Sequence, residues 1–316
     1  MRRRHIIPIF VPHYGCPYQC VFCNQRKITG IDTPMNAKKA KEIIAEALSW
    51  QTRAVEKEVA FYGGSFTAIP MEKQRELLSV VSPMYESGVL SAIRLSTRPD
   101  AIDEAVLQQL KEHHVTTIEL GVQSMDDEVL RASNRGHTGR DVREAVAMIR
   151  QYPFALGLQI MPGLPREDTY SLLRTANAVR ELAPDFVRIY PTVVIEDTPL
   201  AEAYQRGDYT PLSLAEAVRQ TAFLKLFFER ANVPVIRMGL QATAEMDSAG
   251  TVLAGPYHPA DASKVRGQKK ATIRYLKDVY GIAETECIAD GDLRDQLQLD
   301  WGCGRRTVSL SMMDTI

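Results

Sequence analysis

Short apolar runs alternate along the chain with longer stretches in which apolar residues recur every three or four positions. The short runs predict β-strands over residues 6–11, 58–62, 92–96, 116–121, 155–161 and 186–190. The longer stretches predict amphipathic helices over residues 37–50, 72–81, 102–113, 140–151, 168–182 and 214–230. Strands that alternate with helices of this length indicate βαβ units and a parallel sheet.

The number of these units sets the fold class. Right-handed crossovers wind six βαβ units into a barrel, but six are too few for a complete eightfold barrel. The sequence therefore predicts an α/β fold, a partial (β/α)6 TIM-like barrel over residues 1–235. The pattern weakens after about Pro234, so residues 236–316 are expected to form a small irregular C-terminal extension.

Unusual residues follow most of the predicted strands. In a parallel barrel, the loops at the carboxyl ends of the strands share one mouth, and catalytic residues collect there. The residues in these loops are Cys16 to Cys23 after the first strand, Gly63, Gly64 and Ser65 after the second, Thr97 and Arg98 after the third, Gln123 after the fourth and Gly163 after the fifth. We therefore expect one functional site at this end of the barrel.

The loop after the first strand contains Cys16, Cys20 and Cys23 in the spacing C-x3-C-x2-C. Three thiolates this close together can bind three corners of a [4Fe–4S] cluster and leave the fourth iron open to a small molecule. One alternative is a closed zinc site with His13 as the fourth ligand, which would serve folding alone. Another is a set of three buried structural cysteines.

Composition and charge bear on the partners of this protein, on its location and on the kind of site that its cysteines form. The chain has 316 residues, 45% of them hydrophobic, and a formal net charge of −1, which neither favours nor excludes a nucleic-acid partner. No apolar run of about 18 residues and no signal-peptide pattern is present, so we expect a cytoplasmic protein without membrane spans. Five cysteines, three of them clustered, indicate a metal site rather than a disulfide framework.

Seven motifs in order resemble the radical S-adenosylmethionine superfamily, in particular the radical domain of the catalytic subunit of Elongator, a tRNA wobble-uridine-modifying enzyme, and its bacterial relatives. They are GCPYQCVFC (15–23), YGGSFT (62–67), STRPD (96–100), ELGVQS (119–124), NRGHT (134–138), IMPGLP (160–165) and IYPTVVIEDTPL (189–200). The resemblance covers about residues 6–215. It implies reductive cleavage of S-adenosylmethionine (SAM) at a [4Fe–4S] cluster, giving methionine and a 5′-deoxyadenosyl radical.

The resemblance also implies a role for individual positions. Cys16, Cys20 and Cys23 hold the cluster. The cofactor-binding positions that it implies are Phe22 beside the cluster, Gly63, Gly64 and Ser65 at the methionine amino group, Arg135 at the methionine carboxylate, Gln123 and Gln159 at the ribose, Met161 at the adenine, and Thr97 and Arg98 in the same pocket. Ser65 replaces an acidic residue common elsewhere in the superfamily. No catalytic residue is assigned.

Three hypotheses about the function stay open, two of which differ in the substrate. The resemblance implies tRNA, and the basic stretch 264–270, with Arg274 and Lys277, could contact phosphates. A small molecule such as a tetrapyrrole is the second alternative, and a non-enzymatic metal-binding module is the third. A radical enzyme of this kind also implies a reducing partner, a flavodoxin- or ferredoxin-like electron donor, whereas the oligomeric state stays open.

The region after the barrel departs from the Elongator pattern. About 80 residues follow the barrel, too few for the acetyltransferase domain of Elongator, so we expect none in this chain. Cys287 and Cys303 lie 16 residues apart in this region, and we expect each to be an ordinary thiol.

Overall fold

The protein is described from a computed structural model, which covers residues 4–11, 16, 19–29, 33–49, 56–240, 246, 250–257, 296–300 and 305–309. It divides into two compact units, residues 1–257 and residues 258–316. Several residues with predicted roles lie outside the described part, namely His13, Cys287, Cys303, Arg274, Lys277 and the basic stretch 264–270.

A seven-stranded parallel sheet organises the first unit. Its strands are β1 (Arg4–Val11), β2 (Glu56–Gly63), β3 (Ala92–Thr97), β4 (Thr117–Gln123), β5 (Ala155–Ile160), β6 (Phe186–Ile189) and β8 (Val235–Met238), in that spatial order. Every neighbouring pair is parallel. The first and last strands are edges rather than partners, so the sheet is open. The predicted α/β partial barrel is confirmed.

Helices connect these strands. They are α1 (Gln25–Thr29), α2 (Ala37–Ser49), α3 (Met71–Glu86), α4 (Glu104–Glu112), α5 (Asp127–Ala132), α6 (Gly139–Ile149), α7 (Thr169–Glu181), α8 (Pro199–Arg206) and α9 (Leu214–Arg230). The six predicted helices correspond to α2, α3, α4, α6, α7 and α9. No helix in the described ranges is long and apolar enough to span a membrane.

The seventh strand, β8, begins at residue 235 and crosses the domain boundary that the sequence predicts there. Strand β8 pairs with β6, where Val187 lies opposite Val235 and Ile189 opposite Met238. It therefore belongs to the barrel sheet and to the first compact unit, which extends to Tyr257. The division of the chain into functional domains stays a prediction.

The two faces of the sheet differ in chemistry. Side chains of successive strand residues point to opposite faces, and one face is apolar, with Phe61, Leu95, Leu120, Leu158 and Ile189 all at most 1% exposed in the main core. Burying each such side chain contributes roughly 1.5–3 kcal/mol. The other face, the interior of the barrel, is polar; its residues include Glu58, Arg94, Glu119, Gln123, Gln159 and Arg188.

Two short antiparallel pairs complete the described structure. Strand β7 (Val194–Ile195) pairs with β9 (Val252–Ala254) in the first unit. In the second unit, β10 (Gln296–Asp300) pairs with β11 (Arg305–Ser309).

Candidate active site

The cysteine loop follows β1 and is held against the segment that ends α5. Cys16 is exposed, Cys23 is half-buried and Cys20 is 6% exposed. The Val21 amide donates to the Ser133 carbonyl (3.1 Å), and Asn134 Nδ2 donates to the Gln19 carbonyl (2.7 Å). These contacts fix the loop at the carboxyl ends of the strands, where sequence reasoning expected it.

The segment that receives the cysteine loop is the end of α5. The Arg135 amide donates to the Leu130 carbonyl (2.9 Å) and the Asn134 amide to the Arg131 carbonyl (3.0 Å), while Asn134 has φ +49°. This is a Schellman motif with asparagine in the left-handed position. Because it ends α5 at a defined residue, it places Arg135 beside the cysteine loop.

The three thiols influence one another electrostatically. Burial, followed by repulsion from Cys20 and Cys16, raises the pKa of the Cys23 thiol to about 12. Burial by surrounding protein atoms, followed by repulsion from Cys20, raises the pKa of the Cys16 thiol, although the residue as a whole is exposed. The positive charges of Arg135 and Arg98 act in the opposite direction and lower this pKa. A group of thiols that repel one another as thiolates is stabilised by positive charge, from arginine or from a bound metal.

The loop after β2 approaches the first strand closely. The Gly64 amide donates to the Val11 carbonyl (3.2 Å), and Gly63 has φ +110°. Ser65 is 1% exposed, its Oγ lies 2.8 Å from Thr97 Oγ1, and it accepts the Arg98 amide at 3.2 Å. Both hydroxyls are therefore engaged within the protein, and they connect the loops after β2 and β3.

Arg98 is also held by protein groups. It is 2% exposed, and its Nε and Nη2 donate to the two carboxylate oxygens of Asp100, both at 2.9 Å. Nη2 also donates to the Arg135 carbonyl at 2.5 Å. In this structure the guanidinium fixes neighbouring loops, and its predicted place in a cofactor pocket stays a prediction.

Arg135 contacts the cysteine loop directly. It is 7% exposed; its Nη1 donates to Cys20 Sγ at 3.3 Å and its Nη2 to the Gly121 carbonyl at 2.6 Å. Its Nε is buried and has no hydrogen-bond partner among the described residues. A guanidinium with a buried open donor beside three thiols is suited to an anionic ligand.

The predicted ribose and adenine positions lie on two adjacent strands. Gln159 Nε2 donates to Gln123 Oε1 at 3.3 Å, and Gln123 has φ +66° at the end of β4. The Met161 amide donates to the Gln123 carbonyl at 2.9 Å. Phe22 packs instead against an apolar cluster that includes Val194. The structure therefore brings the two glutamines together, and the assigned roles of all four residues stay predictions.

Two residues that sequence reasoning did not single out help to build this site. A Cβ on Gly121 would lie 2.8 Å from both Arg135 Nη2 and Gln123 Nε2, so a larger residue here would displace the ends of these two side chains. Burial, together with Arg135 and Arg98, lowers the pKa of His137 to about 3, so the ring is neutral and its Nε2 donates to the Val122 carbonyl at 3.1 Å. Gly121 lies in the ELGVQS motif and His137 in the NRGHT motif, and the spacing of neither residue predicts a ligand site.

A buried ion network lines the interior of the barrel. Arg94 donates to Glu58 (2.5 Å) and Glu119 (3.1 Å), and Arg188 Nε lies 3.1 Å from the second oxygen of Glu119. Arg188 also donates to the hydroxyls of Tyr62 (2.8 Å) and Tyr190 (3.1 Å). The four charged residues of the network lie on β2, β3, β4 and β6. The two arginines and two glutamates balance in charge, so this wall is polar without a net charge.

The three loop cysteines, all free thiols, are the donor set for the predicted metal site. No group of three or more His, Cys, Asp and Glu side chains in the described part of the chain is placed to hold a metal ion. Three thiols on one loop, with Arg135 donating to one of them, nevertheless fit a [4Fe–4S] cluster by their chemistry, because each thiolate then binds a different iron. The His13 alternative falls on a residue outside the described structure.

Comparison with known proteins decides the family. The model of the Radical SAM superfamily matches residues 10–177, and that of the Radical_SAM C-terminal domain matches residues 184–270. The chain belongs to the radical SAM superfamily. It is a radical SAM enzyme, a family for which a [4Fe–4S] cluster and SAM are the general cofactors.

Relatives within the superfamily include two named for tRNA modification or for Elongator. The chain is 26% identical to the tRNA uridine(34) acetyltransferase of Dehalococcoides mccartyi over 62% of its length and 50% of the relative's. It is 30% identical to Elongator complex protein 3 of Danio rerio over 67% of its length and 48% of the relative's. The chain thus spans about half the length of these curated relatives, and the predicted resemblance is confirmed.

Solved structures support the same fold. The archaeal Elp3 of Methanocaldococcus infernus superposes with a TM-score of 0.67 at 20% identity, covering 89% of this chain and 64% of that chain. The radical SAM enzyme coproporphyrinogen III oxidase of Escherichia coli superposes with a TM-score of 0.54 at 17% identity, covering 83% of this chain and 58% of that chain. At these identities the likeness concerns the fold.

Proposed function

We propose that this radical SAM enzyme holds a [4Fe–4S] cluster through Cys16, Cys20 and Cys23, cleaves SAM reductively and modifies tRNA. The observation that carries the proposal is the contact of Arg135 with Cys20 in a loop fixed at the mouth of the barrel. When bound, the cluster and SAM supply a 5′-deoxyadenosyl radical, chemistry that belongs to the cofactors and not to the protein.

The residues of this chain bind and orient the cofactors in this proposal. The Gly63–Ser65 loop presents main-chain groups to the methionine part of SAM, and Arg135 presents its buried Nε to the carboxylate. Gln123 and Gln159 can both donate to and accept from the ribose hydroxyls. The remaining predicted contacts, from Phe22, Thr97, Arg98 and Met161, belong to the same proposal.

The barrel interior is the proposed substrate space. A primary carbon radical reacts with most nearby C–H bonds, so the substrate hydrogen must be held close and water excluded. Tyr62 and Tyr190 each accept a hydrogen bond from Arg188, and these three side chains form a polar wall held in place by the bonds. A flexible wall would let the radical reach the protein itself.

The substrate class is supported by the names of the relatives. Proteins named tRNA uridine(34) acetyltransferase and Elongator complex protein 3 align over about two thirds of this chain. We therefore propose tRNA as substrate, a flavodoxin- or ferredoxin-like protein as electron donor, and a cytoplasmic location, whose reducing conditions suit the three free thiols.

Release of 5′-deoxyadenosine with and without bulk tRNA tests the substrate. The reconstituted protein, reduced with dithionite under anaerobic conditions, should release it faster with tRNA, and the stimulation should fall with added salt, because phosphate contacts are screened. A matched reaction contains a tetrapyrrole such as coproporphyrinogen. Stimulation by the tetrapyrrole and not by tRNA would replace the RNA proposal with the small-molecule alternative.

A further inference from the structure

A continuous line of hydrogen bonds runs from Asp100, which is exposed, through the buried Arg98 to the cysteine loop. The carboxylate of Asp100 accepts two hydrogen bonds from Arg98, and its side chain is 22% exposed against 3% for Arg98. This bidentate pairing fixes both the position and the plane of the guanidinium. Asp100 also balances the charge of Arg98, which allows two arginines to lie near each other in a buried site.

Arg98 transmits this fixed position to the main chain of Arg135. Its Nη2 donates to the Arg135 carbonyl, and the Schellman motif holds the Arg135 amide on the other side. The backbone of Arg135 is therefore fixed at both its amide and its carbonyl. With its backbone held at both groups, the Arg135 side chain can adopt few orientations.

The guanidinium of Arg135 then bridges β4 and the cysteine loop. Nη2 donates to the Gly121 carbonyl, and Nη1 reaches Cys20 Sγ. The family resemblance implies a methionine carboxylate as the partner of this arginine, yet here one of its nitrogens contacts a predicted cluster ligand. A donor at a ligand sulfur stabilises the reduced and more negative cluster, because hydrogen bonds and nearby positive charge oppose the added electron's charge.

We propose that Asp100 and Arg98 are positioning residues that hold Arg135 so that it donates to the Cys20 thiolate and thereby raises the reduction potential of the cluster. The inference rests on the proposed function, since it requires a cluster at Cys16, Cys20 and Cys23. It gives Arg135 a role before SAM binds, in addition to any contact with the methionine carboxylate.

The test is the midpoint potential of the reconstituted full chain without SAM, followed by electron paramagnetic resonance during a redox titration. The variants are Arg135→Gln and Arg98→Lys. Arg150→Lys is the matched control, because Arg150 likewise donates to a carboxylate, that of Asp185 (3.0 Å), and to a carbonyl, that of Ala183, but near the amino end of β6. Iron and sulfide content and the dissociation constant of SAM are measured on the same samples.

Arg135→Gln should shift the potential to more negative values, Arg98→Lys should shift it in the same direction by less, and Arg150→Lys should leave it as in the wild type. An unshifted potential in Arg135→Gln, with only SAM affinity reduced, overturns the inference and leaves Arg135 as a carboxylate partner. A midpoint potential of Arg98→Lys equal to that of the control Arg150→Lys also overturns the inference. If Arg135→Gln does not fold, as judged by circular dichroism, Arg98→Lys decides alone. A wild-type protein that binds no iron and sulfide instead overturns the proposed function, and this inference with it.

Discussion

Individual residues on the strands of the barrel are packed closely enough for single atoms to matter. Gly121 and Gly157 show this in two different ways. A Cβ at Gly121 would press on the ends of two long side chains, Arg135 and Gln123, whereas a Cβ at Gly157 would lie 2.3 Å from the ring of Phe186. Long side chains can move at small cost, but a buried ring cannot, so the same substitution should have different consequences at the two sites.

We predict that Gly121→Ala weakens SAM binding at a stability cost of about 1 kcal/mol, and that Gly157→Ala costs about 1–3 kcal/mol of stability by overpacking. Urea denaturation and SAM dissociation constants, measured for both variants, test this. Equal loss of SAM affinity in the two variants would contradict the assignment of Gly121 to the site.

Glu167 is a second residue whose environment has a measurable consequence. Its Oε2 accepts the Gly163 amide at 2.6 Å, and burial raises its pKa to about 8. Below about pH 4.5 the carboxyl is protonated in both the folded and the unfolded chain. Between that pH and about 8 the unfolded chain ionises while the folded chain keeps the proton, so this group lowers stability as the pH rises.

We predict that Glu167→Gln removes this contribution. The difference in unfolding free energy between variant and wild type should grow in favour of the variant from pH 5 to pH 8, by at most about 1.4 kcal/mol per pH unit. Urea denaturation at three pH values measures it, with the exposed Glu181→Gln as control. A difference that does not change with pH would show that the Glu167 carboxyl is ionised in the folded protein.

Sequence reasoning found the candidate site residues that belong to recognisable loops, and it missed those that act through packing. The cysteines, Ser65 and Gln123 were found because they follow strands. The function of Gly121 depends on the distance to Arg135, 14 positions later, and that of His137 on a hydrogen bond to the Val122 carbonyl, 15 positions earlier. Such distances arise from the tertiary fold, and no local spacing encodes them.

At the scale of elements, the ion network ties four strands together inside the barrel. Glu119 is central, because Arg94 and Arg188 both pair with it, and its side chain is 2% exposed. Removing one partner of a buried ion pair leaves an uncompensated charge, which costs about 3–5 kcal/mol. On the surface, the same kind of pair contributes about 0.2–1 kcal/mol.

We predict that Glu119→Gln lowers the unfolding free energy by about 3–5 kcal/mol, whereas Glu144→Gln changes it by less than about 1 kcal/mol. Glu144 pairs with Arg140 on the surface, with side-chain exposures of 62% and 81%, and is the matched control. Guanidinium denaturation measures both. Similar small losses would mean that the buried network is not an important source of barrel stability.

The long elements were predictable and the short ones were not. Helix α9 coincides with its predicted range, because 17 residues give several turns of periodic apolar positions. Helices α1, α5 and α8 have five to eight residues, too few to establish a period. Strand β8 has four residues, and Ile236 within it is 47% exposed, so its pattern is weak. A signal for the polar wall existed in the charged residues Arg94, Glu119 and Arg188, placed inside otherwise apolar strands.

At the scale of the whole molecule, one unit of 257 residues contains the open barrel, the cysteine loop and the polar interior wall. All the loops that build the candidate site follow strands of a single parallel sheet, so the site faces one side. The matched relatives are about twice as long as the part aligned with this chain. The residues to which we assign the proposed activity all lie in this unit.

Dependence of SAM cleavage on the three loop cysteines tests the central claim most directly. Protein reconstituted with iron and sulfide under anaerobic conditions should bind about four of each and release 5′-deoxyadenosine when dithionite is added. Cys16→Ala, Cys20→Ala and Cys23→Ala should each abolish the release, while Cys287→Ala and Cys303→Ala should retain it. Zinc in place of iron, or undiminished release from the loop variants, would contradict the account.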